Sequence, residues 1–117
     1  MENNKNTRLC GMLGFAMRAG KVIIGTESVL AAVAKPGKAK PKIVLISSTA
    51  SDGTRKKILT KCEFYHIQSA PISLSSDELG SLLGKLYAPA VVAITDDGFA
   101  AQIRMALGIS ATGEGEN

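Results

Sequence analysis

Four consecutive residues, Gly25-Thr26-Glu27-Ser28, have the types and spacing that could bind an anion. They follow the β-branched run 22–24 and precede an apolar run with helical spacing, so they mark a strand-to-helix turn. The first N–H groups of a helix lack partners within it and, with the helix dipole, favour phosphate or another acceptor. Gly25 permits close approach of the backbone, and the Glu27 carboxylate can accept hydrogen bonds from a nucleic-acid base. The same residues also fit an ordinary turn in which Thr26 caps the helix.

Other candidate reactive groups are scarce. Asp96 and Asp97 are adjacent acids near the end of a predicted strand, where an open α/β sheet places catalytic or metal-binding carboxylates, but capping alone also requires Asp at a helix start. Cys10, Cys62 and His66 do not make a zinc set, and the two cysteines lie in apolar stretches that favour buried side chains over a Cys–His nucleophile. We therefore expect a protein that is not an enzyme and has neither metal nor cofactor; an enzyme using Asp96 or Asp97 is the third hypothesis.

Two pairs of glycines fall within predicted helices rather than after strands. Gly11 and Gly14 form one pair, and Gly80 and Gly84 form the other. A dinucleotide-binding motif requires its glycines directly after a strand, which excludes that interpretation. Glycine within a helix more often allows close packing of the helix on a sheet.

Charge is distributed unevenly along the chain. The net charge is +4, with twelve Lys and Arg against three Asp and Glu in residues 1–62 (+9), and two against seven in residues 63–117 (−5). This asymmetry is typical of a protein with one surface that faces a polyanion, although a solvated basic surface has the same pattern. Arg18 and Lys21, which precede the turn, are the candidates for phosphate contacts.

The composition predicts one globular domain. Hydrophobic residues make up 45% of the 117 residues, which suffices for one core. The sequence has neither an apolar stretch of about 18 residues nor a signal peptide, so we expect a cytoplasmic protein without membrane contact. We expect a flexible N-terminus at 1–6, a domain at 7–108 and a disordered tail at 109–117.

Helices and strands are predicted to alternate. Thr26 is the expected N-cap of the second helix, and Ser75 with Glu78 fits a capping box. The predicted helices lie at 7–19, 27–35, 52–62, from 75 or 76, and after 96–98, and the predicted strands at 22–24, 43–46, 64–68 and 90–94. This order indicates a three-layer α-β-α sandwich around a four-stranded sheet that is mostly parallel or mixed.

Four segments together resemble a known family. They are "LGFAMRAGKVIIGTE" (13–27), "PKIVLISSTASDGTRKKI" (41–58), "DELGSLLGK" (77–85) and "VVAITDDGFA" (91–100). Over about residues 8–107 the chain resembles the ribosomal protein L-seven-Ae superfamily of small kink-turn RNA-binding proteins, and within it the bacterial YlxQ-like branch. The resemblance implies an α-β-α sandwich around a mixed sheet, and structured RNA, ribosomal or containing a kink-turn, as the partner.

The resemblance also implies which residues contact RNA. In archaeal and eukaryotic members the turn reads roughly Gly-Thr-Asn-Glu, with a lysine one helical turn later, and the last three read the tandem G·A pairs of the kink-turn. Gly25 and Thr26 match this pattern. Glu27 replaces the asparagine, Ser28 the glutamate and Ala31 the lysine.

A second contact region is implied in the loop before the last strand, Lys85-Leu86-Tyr87-Ala88. Leu86 and Tyr87 would pack against flipped-out bases, and Lys85 would reach phosphate. The leading hypothesis is therefore an RNA-binding protein that uses the turn and this loop on one face. The alternative is a protein-interaction module of the translation or transcription machinery, in which the basic loop 35–42 and the helix 52–62 meet an acidic protein surface.

Overall fold

Helices and strands alternate along the part of the chain that the computed structural model describes, residues 4–37 and 40–111. The elements are α1 Asn4–Arg18, β1 Val22–Ile24, α2 Thr26–Ala34, β2 Ile43–Ile46, α3 Asp52–Tyr65, β3 Ser69–Pro71, α4 Ser76–Leu82, β4 Val91–Ile94 and α5 Asp97–Leu107. This order confirms the predicted alternation.

The four strands form one mixed sheet in the order β1-β4-β2-β3. β4 is antiparallel to both β1 and β2, whereas β2 and β3 are parallel. Every residue of β2 and β4 is buried, which explains why both strands are apolar throughout instead of alternating. The predicted four-stranded sheet is confirmed, and it is mixed, as the family resemblance implies.

Two helical layers cover the two faces of the sheet. On one face α1, α4 and α5 pack against alternate residues of the central strands, among them Leu45 and Val92. On the other face α2 and α3 pack against the intervening residues, among them Val44 and Ala93. The predicted three-layer sandwich is therefore confirmed, with one hydrophobic core on each side of the sheet.

Side-chain caps begin three of the helices. The hydroxyl of Ser51 accepts a hydrogen bond from the N–H of Thr54 at 3.1 Å, and Asp96 Oδ2 accepts one from the N–H of Phe99 at 2.9 Å. At α4 the predicted capping box is confirmed, because Ser75 Oγ accepts from the N–H of Glu78 and the Glu78 carboxylate accepts from the N–H of Ser75.

The third strand differs from the prediction. α3 extends to Tyr65 and ends at His66, whose φ of 59° is left-handed, so the predicted strand at 64–68 is wrong. β3 instead comprises Ser69–Pro71 at the edge of the sheet, where a proline is tolerated. Tyr65 and Ile67 pack against the core beneath α2 and α3, so the apolar residues that indicated a strand belong to the end of a helix and the loop that follows.

The ends of the domain also differ from the prediction. α1 begins at Asn4, so part of the predicted flexible N-terminus is helical, while residues 1–3 lie outside the described residues. Within the predicted tail, the N–H of Ile109 donates to the carbonyl of Arg104 at 3.1 Å and the carbonyl of Ser110 accepts from Gln68 Nε2 at 2.7 Å. Residues 112–117 lie outside the described residues.

Strand register brings several connections to one end of the sheet. Ile24 pairs with Val92 and Ile46 pairs with Val91, so β1 and β2 end where β4 begins. The turn after β1, the loop after β2 and the loop before β4 therefore share this end. At the opposite end, the N–H of Thr95 after β4 donates to the carbonyl of Lys21 before β1 at 3.0 Å.

Candidate nucleic-acid interface

The turn between β1 and α2, residues 25–28, is held by the backbone of Gly25. The Gly25 N–H donates to the carbonyl of Val91 at 2.9 Å, and the Gly25 carbonyl accepts the first helical hydrogen bond from Val29 at 3.0 Å. Its φ of 103° and ψ of 147° lie in a region that glycine alone adopts readily. The glycine therefore ties the start of α2 to the start of β4.

The N-cap of α2 is Gly25, so the predicted cap at Thr26 is wrong. Thr26 is the first helical residue, because the Gly25 conformation has already turned the chain into the helix. A glycine cap has no side chain to accept from the N–H groups of Thr26, Glu27 and Ser28, which the helix itself also leaves unpaired. The first turn of α2 therefore differs from those of α3, α4 and α5, which all have side-chain caps.

The side chains on this turn face solvent. Glu27 is 86% exposed, and Ser28 and Ala31 are also exposed. The Glu27 carboxylate lies 4.0 Å from the ammonium of Lys57, which projects from α3. Exposed ion pairs of this kind stabilise a fold very little, so the carboxylate stays available to a ligand. Sequence reasoning missed Lys57 because 30 residues separate it from Glu27, and only the packing of α2 on α3 brings them together.

The α4–β4 loop, Lys85–Ala88, presents apolar side chains to solvent. Leu86 is fully exposed and Tyr87 is 56% exposed. The loop backbone lies directly on α4: the N–H of Lys85 donates to the carbonyl of Gly80 at 2.8 Å, and a Cβ on Gly80 would lie 2.3 Å from the carbonyl oxygen of Tyr87. The loop is therefore seated on the helix while its side chains point outward.

The predicted close packing of helix glycines on the sheet is wrong in detail. At Gly80 a backbone does approach closely, but it belongs to the α4–β4 loop and not to the sheet. At Gly11 the prediction is wrong, since an added Cβ would meet nothing within 4 Å, and at Gly14 it would meet only the Arg18 side chain at 3.7 Å.

Hydrogen bonds bring the turn and the loop together at one end of the sheet. The N–H of Gly25 donates to Val91, and the N–H of Ser47, directly after β2, donates to the carbonyl of Ala90 at 2.9 Å. Only Pro89 separates the α4–β4 loop from Ala90 and Val91, so the two predicted contact regions adjoin. Ser48 and Thr49 in the loop after β2 are exposed at the same end and were not predicted. Hydroxyl residues directly after a buried strand were the signal for them.

Arg18 and Lys21, the predicted phosphate contacts, lie away from the turn. β1 is extended and separates Lys21 from Gly25 by about 13 Å, at roughly 3.3 Å per residue. Lys21 is at the opposite end of the sheet, where its carbonyl accepts from Thr95. The Arg18 guanidinium stacks on Phe15, with its carbon 4.9 Å from the ring centroid.

Cys62, Cys10 and Asp96 have the surroundings of structural residues. Cys62 is buried, and burial raises the pKa of its thiol to about 11. Burial, and secondarily the Glu78 carboxylate, also raise the pKa of the half-buried Cys10 thiol. A raised thiol pKa opposes nucleophilic chemistry at both cysteines, and Asp96 serves as a helix cap.

Within residues 4–37 and 40–111, no group of three or more His, Cys, Asp or Glu residues is arranged to hold a metal ion. None of the helices in that part of the chain is long and apolar enough to cross a membrane.

Comparison with known proteins identifies the family. Residues 7–104 match the family described as Ribosomal protein L7Ae/L30e/S12e/Gadd45. The match covers most of the chain, and the chain belongs to this family. The resemblance inferred from the sequence is therefore confirmed.

Individual relatives agree with this assignment. The chain is 39% identical over 89 residues to a Bacillus subtilis protein named RNA-binding protein YlxQ, an alignment that covers 76% of this chain and 84% of that protein. It is 38% identical over 88 residues to the large ribosomal subunit protein eL30 of Sulfolobus acidocaldarius, covering 75% and 82%. A solved structure of a Bacillus halodurans protein of unknown function superposes with a TM-score of 0.76 at 30% identity, covering 86% and 96%.

Proposed function

We propose that this protein is a non-catalytic, ribosomal-protein-like RNA-binding protein of the cytoplasm. It binds structured RNA, ribosomal or kink-turn-like, through the β1–α2 turn and the α4–β4 loop. The observation that carries the proposal is the hydrogen bond from the Gly25 N–H to Val91, which ties the turn to the start of β4, just after the α4–β4 loop. Relatives named for RNA binding and for the large ribosomal subunit support it.

The chemistry of the turn suits an RNA base or phosphate. Three consecutive N–H groups at the start of α2 donate in one direction, and the helix dipole adds partial positive charge there. The Glu27 carboxylate accepts from amino or imino groups of a base. Since Glu27 is 86% exposed, a base reaches it without rearrangement of the protein.

The chemistry of the α4–β4 loop suits unstacked bases. Sequence-specific RNA recognition targets bases that leave the helix and then pack against protein side chains. Leu86 and Tyr87 offer exposed apolar surface beside the turn, and Lys85 supplies a cation for phosphate. The turn and the loop together therefore fit an RNA that combines base-paired stems with individual bases turned out of the stack, as a kink-turn does.

The proposal is tested by titration of the protein with a kink-turn RNA and with a matched RNA whose G·A pairs are replaced by Watson–Crick pairs, each at low and high salt. We expect a preference of about tenfold or more for the kink-turn, and an affinity that falls with salt because phosphate contacts release counterions. Glu27→Ala should reduce the preference for the kink-turn. Glu63 is an exposed carboxylate on α3, away from the turn, and Glu63→Ala should leave the preference unchanged.

Three other outcomes are informative. Equal, salt-sensitive binding to both RNAs would reject kink-turn reading and retain general RNA binding. Affinity that does not change with salt would contradict phosphate contacts. Absence of binding to either RNA would overturn the proposal and favour the alternative, a protein-interaction module of the translation or transcription machinery.

A further inference from the structure

A surface groove of about 470 Å³ lies between α2 and α3. We call it the α2/α3 groove; its lining residues are Leu30, Gly53, Lys56, Lys57, Thr60 and Lys61. Half of these residues are lysines, and none is acidic. Leu30 is partly buried against the core beneath the two helices. The groove therefore has a mostly apolar lining, with three lysine side chains along α3.

Helical spacing places the lysines on one wall. Lys57 lies four residues after Gly53 and four residues before Lys61, so they share one face of α3, with Lys56 at its margin. Like charges at this spacing repel each other, and a polyanionic ligand would relieve that repulsion. Gly53 has no side chain, which leaves the groove open at the start of α3.

The groove is continuous with the proposed RNA site. The Lys57 ammonium lies 4.0 Å from the Glu27 carboxylate, so the groove borders the first turn of α2. From Lys56 to Lys61 the lysines span about 7.5 Å of α3, at roughly 1.5 Å per helical residue. Their flexible four-carbon stems let the ammonium groups reach successive phosphates of a nucleic-acid strand.

We propose that the α2/α3 groove binds the sugar–phosphate backbone of the same RNA as the strand leaves the β1–α2 turn. Lys56, Lys57 and Lys61 contact successive phosphates, and Leu30 with the aliphatic stems of the lysines packs against riboses. The proposal rests on the proposed function and extends its contact surface along α3. It also supplies cations near the turn, a position that Arg18 and Lys21 do not occupy.

The test compares two triple variants with the same change in charge. Lys56→Ala/Lys57→Ala/Lys61→Ala removes the cations of the groove. Arg8→Ala/Arg18→Ala/Lys21→Ala removes three exposed cations, two in α1 and one three residues after it, and α1 packs on the other face of the sheet from α2 and α3. Affinity for the kink-turn RNA is measured over a range of salt concentrations for both variants and for the wild type.

The RNA affinity of the groove variant should depend less steeply on salt than that of the wild type. Each phosphate contact contributes about 0.9 to the slope of log affinity against log salt on a duplex and about 0.7 on a single strand, so three contacts predict a slope shallower by about 2 to 3. We expect its affinity at low salt to fall by at least about tenfold. The α1 variant should change the slope by less than about 1.

A second measurement uses the RNA instead of the protein. Each stem that flanks the kink-turn is shortened in turn, and both variants and the wild type are titrated with the shortened RNAs. Shortening the stem that the groove contacts should weaken the wild type to about the affinity of the groove variant. The same change should leave the groove variant nearly unaffected, because the two losses remove one interaction.

Failure of this inference is distinguishable from failure of the proposed function. If the wild type binds RNA and the two triple variants are equal in affinity and slope, the groove does not bind RNA and the proposed function stands. If a shortened stem weakens the wild type and the groove variant equally, the contact lies outside the groove. If the wild type does not bind RNA, both proposals are wrong.

Discussion

Gly25 connects the two halves of the candidate site through its backbone alone. Its N–H bonds to Val91 at the start of β4, and its carbonyl begins α2. It makes both bonds at a φ of 103°, in a region of backbone space that favours glycine. A side chain would oppose that conformation, so the site depends on the absence of a Cβ here.

Gly25→Ala should therefore weaken both folding and binding. A non-glycine residue in this region of backbone space costs about 1–3 kcal/mol, and relief of the strain would move the start of α2 away from β4. We expect the free energy of unfolding in urea to fall by about this amount, together with the affinity for RNA.

Gly11→Ala is the matched control for Gly25→Ala. Gly11 lies within α1, where an added Cβ meets nothing within 4 Å. Replacement of a helical glycine by alanine should stabilise the protein by about 0.5–1 kcal/mol and leave RNA binding unchanged. Equal stability of Gly25→Ala and the wild type would contradict the importance of the glycine conformation.

Cys62 should respond to alkaline pH. Burial raises the pKa of its thiol from 9.0 to about 11, so the folded protein favours the neutral thiol. That contribution to stability is complete below the ordinary pKa and is lost as the pH rises toward the folded pKa. Between about pH 8 and about pH 10.5, the free energy of unfolding should fall more for the wild type than for Cys62→Ala. Parallel decreases in the two proteins would contradict this assignment.

At the scale of elements, α4 and the loop that follows it act as one unit. The carbonyl of Gly80 accepts a hydrogen bond from the N–H of Lys85. Because Gly80 has no Cβ, the carbonyl of Tyr87 can pack closely against it. The loop therefore has its conformation fixed from inside, while Leu86 and Tyr87 face solvent. This arrangement positions the two apolar side chains before any ligand binds.

Gly80→Ala should displace the α4–β4 loop. The new Cβ would lie 2.3 Å from the carbonyl oxygen of Tyr87, so the loop backbone must move. Overpacking of this kind costs about 1–3 kcal/mol, and we expect a lower melting temperature and a weaker affinity for RNA. Leu86→Ala is the comparison, because a fully exposed side chain should affect affinity without affecting the melting temperature. An unchanged affinity in Gly80→Ala would exclude the loop from the interface.

Some elements could be predicted from the sequence because their cause is local. β2 and β4 are apolar throughout since both of their faces are covered, and the capping box at Ser75 is formed by residues three apart. β3 could not be predicted, because its three residues are a strand only through pairing with β2. The N-cap of α2 was predicted wrongly because Thr26 has a side chain that favours the cap position. The backbone conformation of Gly25 places the cap one residue earlier, so Thr26 is already helical.

At the scale of the whole molecule, the charge asymmetry of the sequence does not by itself define one basic face. Arg18 and Lys21 lie at one end of the sheet, whereas Lys57 projects from α3 beside the turn at the other. The sequence predicted that the turn and the α4–β4 loop adjoin, since the family resemblance pairs them. The lysines of α3 could not be assigned to the site, because only helix packing shows which cations lie near Glu27.

The location of the interface is tested most directly by NMR, from the chemical-shift changes of the backbone amides of the isotope-labelled protein during titration with kink-turn RNA. The largest shifts should occur at residues 25–28, 47–49, 85–88, 90 and 91, which meet at one end of the sheet. Smaller shifts should extend along α3 as far as Lys61. Shifts concentrated instead around Arg18, Lys21 and Thr95, at the opposite end of the sheet, would contradict it.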